Sequence, residues 1–179
     1  MGLKSPKSIH HNGKRLSEIL EAHAKYVRGE AGGVCADLAG ARLDRADLRA
    51  VNLMNANLGE AWLEEANLSG SRLAGVNLAG ANLRKAQITN SDLTEANAEG
   101  ADLSEVNASG SEMFRMNLAG AKLVGAVLKG ANLRGSNLRA TDLRNADLTN
   151  VLLAETNLGH ALLEGTDLSR SVVRDIARM

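Results

Sequence analysis

Cysteine, proline and aromatic residues are nearly absent from this chain of 179 residues, which holds one Cys, one Pro, one Trp, one Tyr and one Phe. The single cysteine, Cys35, rules out an intramolecular disulfide and suits a reducing, cytoplasmic setting. With Pro6 the only proline, nearly every later backbone amide is free to donate a hydrogen bond. Net charge is lacking too. The formal value is zero, and residues 1–35 carry six Lys and Arg against three Asp and Glu, leaving 15 against 18 for the remainder. Neither part is extreme, so direct nucleic-acid binding and a membrane partner are not expected. No apolar run is long enough for a signal peptide or a membrane span.

Chemistry is equally thin. His10 and His11 are adjacent, His23 lies on an apolar stripe, and His160 stands alone, so no metal spacing emerges. No Ser-His-Asp set, paired carboxylates or phosphate-type glycine loop is present, and a packed convex rod offers no evident pocket. The expectation is a chain that is not an enzyme and holds no cofactor.

What the chain does have is rhythm. Residues 36–175 divide into 28 units of five without insertion or slip. Every fifth residue from Leu38 is apolar, and 23 of the 28 are leucine. The residue two before is small or apolar (Ala36, Ala41, Ala46, Val51), with Met116 the largest. The residue just before is Asp or Asn in 18 of the 28. A period of five fits neither a helix nor a simple strand. Two inward residues per unit require a corner about once per unit, and four corners close a square coil of 20 residues. A single coil cannot bury its own leucines, so the period predicts a stack.

Units such as Ala36-Asp37-Leu38-Ala39-Gly40, Ala46-Asp47-Leu48-Arg49-Ala50, Ala66-Asn67-Leu68-Ser69-Gly70 and Ala131-Asn132-Leu133-Arg134-Gly135 resemble the A(D/N)LXX signature of the pentapeptide-repeat family. The resemblance implies an all-β solenoid, a right-handed parallel quadrilateral β-helix of about seven coils. The handedness of parallel crossovers in L-chains supports the same hand. At ~4.8 Å per coil the stack spans roughly 34 Å. The last position of each unit is Gly in eleven cases and Asn in four (Asn55, Asn90, Asn145, Asn150), the residues that most readily take positive φ in a type II turn. Units ending in Arg45, Glu65 or Lys85 are expected to turn differently.

Four segments follow: a disordered leader over 1–13, a capping helix and linker over 14–35, the repeat solenoid over 36–175, and a short end over 176–179. Leu16, Ile19, Leu20, His23, Ala24 and Val27 recur at helical spacing, predicting an amphipathic helix of about 14 residues that stops at Gly29 or at Gly32-Gly33. Its stripe serves either as a lid over the first coil or as a docking helix for a partner. At the far end, Leu152, Leu162 and Val172 stand where other units carry Asp or Asn, with Val173 and Ile176 nearby. Outward apolar residues there predict either a homodimer through the C-terminal coil or a terminal turn folding back over it.

Position modulo 20 assigns each unit to a side. The first side carries Asn57, Asn77, Asn97, Asn117 and Asn137 in one column, mostly among Ala and Gly but broken by Glu60, Glu99, Arg139 and His160, a smooth wall suited to a flat partner. Trp62 on the second side and Phe114 on the fourth face outward and, with that column, form the candidate interaction surface. In one circuit Ala98 and Ala108 replace leucine, with Met113 and Met116 close by, which predicts a thin or partly hollow layer. The leading function is a rigid scaffold or protein-interaction module. The alternative, implied only by the family, is a DNA mimic acting on DNA gyrase or topoisomerase. Weak net charge and a belt of Arg134, Arg139 and Arg144 on three successive sides disfavour it.

Overall fold

The computed structural model describes residues 2–168, 170 and 171. Its organising feature is a set of parallel bridges between residues 20 apart, from Asp37↔Asn57 to Asp142↔Leu162. They form four rows, one per side of a square section. The first runs 37-57-77-97-117-137-157, and the others begin at Arg42, Asp47 and Asn52. Each rung is short, a single bridged residue per side, because the chain turns again within five residues.

The register is uniform. The second residue of a unit donates its N–H to a carbonyl 21 residues back and accepts an N–H from 19 residues back, as in Asn57 N–H to Ala36 C=O at 3.0 Å and Leu38 N–H to Asn57 C=O at 2.7 Å. Between rungs, Ala41 N–H to Leu38 C=O at 3.0 Å closes the corner, and this three-residue closure recurs around the coil. The Asx residue completes the unit. Asn57 Oδ1 accepts the Gly59 N–H at 3.2 Å and Asn77 Oδ1 the Ala79 N–H at 3.2 Å, satisfying a turn amide that the ladder cannot reach. That is the physical reason for Asp or Asn before the leucine.

All corners from Gly40 to Gly165 take a left-handed φ, glycine or not. The expected difference at Arg45, Glu65 and Lys85 is therefore incorrect: their φ values are 60°, 55° and 57°, beside 65° at Gly80. The reason lies in the ladder. The corner amides from Gly40 to Asn145 donate to the next coil, as in Arg45 N–H to Glu64 C=O at 2.8 Å and Lys85 N–H to Ser104 C=O at 3.0 Å. Such bonds hold the geometry against the roughly 1–2 kcal/mol that a side chain costs in this region.

Inside, the leucine column is closed to solvent from Leu38 to Leu153, as are its small partners Ala56, Ala61 and Ala81. Each buried leucine contributes about 1.5–3 kcal/mol relative to exposure. Apart from Ser71, whose hydroxyl donates to Leu68 C=O in its own coil, hydroxyls at the second inward position are satisfied by the coil before. Ser91 Oγ donates to Leu68 C=O at 2.8 Å, Thr141 Oγ1 to Leu118 C=O at 2.9 Å and Thr156 Oγ1 to Leu133 C=O at 3.0 Å. Ser and Thr thus enter the core without an orphaned group. In the layer expected to be thin, Ala98, Ala108, Met113 and Met116 are all fully buried.

Residues 2–13 of the leader are not the disordered segment expected over 1–13. Lys4 forms a parallel bridge with Ala46, Pro6–Ser8 make a 3-10 turn, and β1 (His10–His11) pairs antiparallel with β2 (Lys14–Arg15) through Asn12 and Gly13. Ile9 is buried in the core cluster, and its carbonyl accepts the Leu16 N–H at 2.8 Å. Contacts too sparse to leave a period hold this segment.

Then α1 (Leu16–Val27) begins with the Glu18 carboxylate accepting the Arg15 N–H at 3.0 Å. It ends in a Schellman turn at Gly29, φ 69°, with Glu30 N–H to Lys25 C=O and Gly29 N–H to Tyr26 C=O. Leu16 and His23 are fully buried, and Ile19 and Leu20 pack against the core cluster. The linker returns across the helix, with Val34 N–H to Ala22 C=O at 3.1 Å. A Cβ on Gly33 would collide with the Tyr26 backbone nitrogen, so only glycine fits there.

Candidate interaction surfaces

Strand register places the first-side amides in line, and their short side chains lock them. Asn57 Nδ2 donates to Asp37 Oδ1 at 2.9 Å, and the pattern repeats from Asn77 to Asn57 at 2.9 Å, Asn97 to Asn77 at 3.4 Å, Asn117 to Asn97 at 3.1 Å and Asn137 to Asn117 at 3.1 Å. Each internal oxygen also accepts its own turn amide, so the column is a rigid, half-buried ladder. Beside it, Ala39, Gly40, Gly59, Glu60, Asn77 and Ala79 line a shallow depression. Apart from Glu60, Glu99, Arg139 and His160, the wall is flat because its remaining outward residues are Ala and Gly.

The second side is charged. Arg84 lies 3.7 Å from Glu105, and Arg144 lies 2.7 Å from Asp142, whose carboxyl its hydrogen bonds hold below the usual carboxylate range. Trp62 belongs to this side, 43% exposed, with the Arg42 guanidinium 4.2 Å from its ring centroid. Phe114 on the fourth side is half-buried, with Arg115 stacked 4.8 Å from its ring centroid. These aromatics lie on different sides, apart from the ladder, so the sequence-derived residues make three separate surfaces and not one site. Of the arginine belt, Arg144 is paired, whereas Arg134 and Arg139 are exposed without an acidic partner among the described residues.

Toward the C-terminal end, Leu162 is half exposed and Leu152 half-buried. Val172, Val173 and Ile176 lie outside the described residues.

The expectation that the rod carries no pocket needs correction. Where the leader and α1 meet the first coil, a cleft of about 470 Å³ opens, lined by Lys14, Glu18, Ile19, Ala22, Val34 and Asp37 among others. It arises because a helix laid across a square coil cannot match its outline, and no feature of the repeat foretells it. Ala36, which also lines the cleft, donates its N–H to His23 Nδ1 at 3.0 Å; His23 Nε2 is buried without a partner among the described residues, and burial lowers the pKa of the ring. Among the described residues, no group of His, Cys, Asp and Glu could hold a metal, and no helix is long and apolar enough to cross a membrane.

Compared with known families, residues 34–70, 71–110 and 111–150 match the model for pentapeptide repeats, in eight copies. The chain belongs to the pentapeptide-repeat family. Among solved structures it is similar to a trypsin-treated variant of QnrB1, a plasmid-mediated fluoroquinolone resistance protein. That likeness has 21% identity and a TM-score of 0.62, over 76% of this chain and 70% of the other. It is similar also to HetL, involved in heterocyst differentiation regulation in the cyanobacterium Nostoc sp. strain PCC 7120, at 23% identity, TM-score 0.43, over 94% and 98% of the two chains. A third is Rfr23 from the cyanobacterium Cyanothece 51142, at 39% identity, TM-score 0.43, over 56% and 66%. No curated protein matches the chain by sequence. For this pentapeptide-repeat protein, family membership implies the right-handed quadrilateral β-helix, and the QnrB1 likeness bears on fold alone.

Proposed function

We propose that this chain is a rigid, non-catalytic scaffold of about seven coils, lidded by α1, that binds a partner protein along its lateral faces in the cytoplasm. The observation that supports this reading most is the asparagine ladder from Asp37 to Asn137, which keeps one side flat and inflexible over successive coils. A pre-ordered surface loses little entropy on docking. Trp62 with its stacked Arg42 supplies an exposed anchor of the kind enriched at binding hot spots. Affinity capture from the native host tests the reading. A partner retained by the parent chain and lost on Trp62→Ala, Phe114→Ala or Asn97→Ala supports it. Capture of the same proteins by all three variants contradicts it.

A homodimer through the C-terminal coil is part of the same proposal, on the ground that Leu162 is half exposed. Light scattering at micromolar concentration should give twice the mass of a single chain, and Leu162→Asp should halve it. A single-chain mass for the parent removes the dimer.

The second reading is a DNA mimic acting on gyrase or topoisomerase, favoured by the likeness in fold to QnrB1. Exposed Arg134 and Arg139 oppose it, because a duplex presents negative charge along its whole length. A gyrase supercoiling assay separates the two: no change on adding the chain supports the scaffold, whereas inhibition or protection from a quinolone supports the mimic.

A further inference from the structure

We propose that the cleft between α1 and the first coil binds an extended segment of a partner protein, added as one more parallel strand on the N-terminal edge of the solenoid. This deepens the interaction-module reading but places the contact apart from the lateral faces.

The register supplies the first observation. Asp37, Arg42, Asp47 and Asn52 open the four bridge rows and have no coil beneath them. Their main-chain groups are those that in every later coil bond to the coil before. At Asp47 the chain meets this need itself: Asp47 N–H donates to Lys4 C=O at 2.8 Å, and Lys4 N–H donates to Arg45 C=O at 2.7 Å. The edge therefore takes up a short extended segment in this structure. At Asp37 both the main-chain N–H and C=O are without a hydrogen-bond partner among the described residues.

The second observation is the place. Asp37 lines the cleft of about 470 Å³, a size typical of ligand-binding pockets. Ile19, Ala22 and Val34 give the cleft an apolar lining, and Val34 is 62% exposed. Lys14 and Glu18 lie in the same wall. An incoming strand would repeat what Ala36 and Leu38 do for Asn57. One carbonyl accepts the Asp37 N–H, and the N–H two residues later donates to the Asp37 C=O. An aliphatic side chain on that strand would pack against Ile19, Ala22 and Val34. Main-chain bonds supply affinity in such strand addition, and the side-chain pocket supplies specificity. The bare edges at Arg42 and Asn52 do not line this cleft.

The test is selection from a displayed library of random heptapeptides on the full chain, followed by amide spectra with the selected synthetic peptides. The expected peptides share Val, Ile or Leu at one position, shift the Asp37 amide and slow its exchange at least tenfold. Methylating the peptide nitrogen that meets the Asp37 carbonyl should abolish binding. Ala22→Trp, which fills the cleft, should weaken binding at least tenfold. Val34→Asp, at an exposed position that leaves packing intact, should do the same, and Trp62→Ala should have no effect. Failure of any peptide to be enriched overturns the proposal, as does binding that survives both N-methylation and Val34→Asp. Partner capture that depends on Trp62 would then still support the lateral-face reading, so the two fail separately.

Discussion

The solenoid and the segment before it are built on opposite terms. From Ala36 onward one rule, a bridge every 20 residues, sets backbone, corner and side-chain direction together. Before it, nothing repeats: Lys4, Ile9, His23 and Gly33 each make a contact found once in the molecule. In the first region the loss of one contact is shared among similar neighbours. In the second, each contact has no substitute. The difference explains why Arg, Glu and Lys are tolerated at left-handed corners, whereas Gly33 admits no side chain.

Breaking the repeat should give the largest effect. Leu63→Ala removes a fully buried side chain between packed coils and should lower stability by about 2–5 kcal/mol, read as a fall in the urea midpoint. Next is Gly33→Ala, whose methyl would meet the Tyr26 backbone; about 1–3 kcal/mol should be lost. Here the loss is local. Hydrogen exchange should quicken in α1 and at Val34 while the amides of Leu83 and Leu103 keep their protection. Equal quickening throughout would erase the distinction between the regions.

Acid probes the same junction. His23 is fully buried and its pKa is lowered by burial, so the unfolded chain binds a proton before the folded one. Stability is complete above the unfolded value of about 6.5 and is lost as pH falls below it toward the folded value. A protonated ring also carries hydrogen on Nδ1, which then cannot accept the Ala36 N–H. Protection of the Ala36 amide, taken relative to its intrinsic exchange rate at each pH, should fall between pH 7.5 and pH 5, with that of mid-solenoid corners unchanged. A flat response at Ala36 would remove His23 from the junction.

Smaller effects sharpen the rule. Ala98→Leu should add about 1 kcal/mol of stability where the layer has spare volume; a loss in thermal unfolding would show Met113 and Met116 already fill it. Lys85→Gly should gain about 0.5 kcal/mol by relieving a left-handed residue, less the extra freedom of glycine when unfolded.

Legibility followed the same divide. The five-residue period foretold the coil of 20, the inward leucines and the asparagine column, because stacking makes each unit's neighbours copies of itself. It misjudged the corners at Arg45, Glu65 and Lys85, since side-chain preference was weighed there without the inter-coil bond that overrides it. The ordered leader was missed because Lys4 pairs with a residue 42 positions away and has no flanking pattern to announce it. The cleft was invisible for a related reason: it is a misfit between α1 and the coil, and misfits leave no periodic trace. Gly29 could be read as a helix stop, but Gly33 could not be read as a close approach without knowing that the linker doubles back.

Inter-residue nuclear Overhauser contacts test the 20-residue register most directly. Contacts linking the Leu58 amide to Asn77, the Leu63 amide to Asn82, and the Lys85 corner amide to Ser104 are predicted, matching the bonds that cross from coil to coil. Amide contacts running instead at three and four residues' separation through 36–165, with none near twenty, would contradict it.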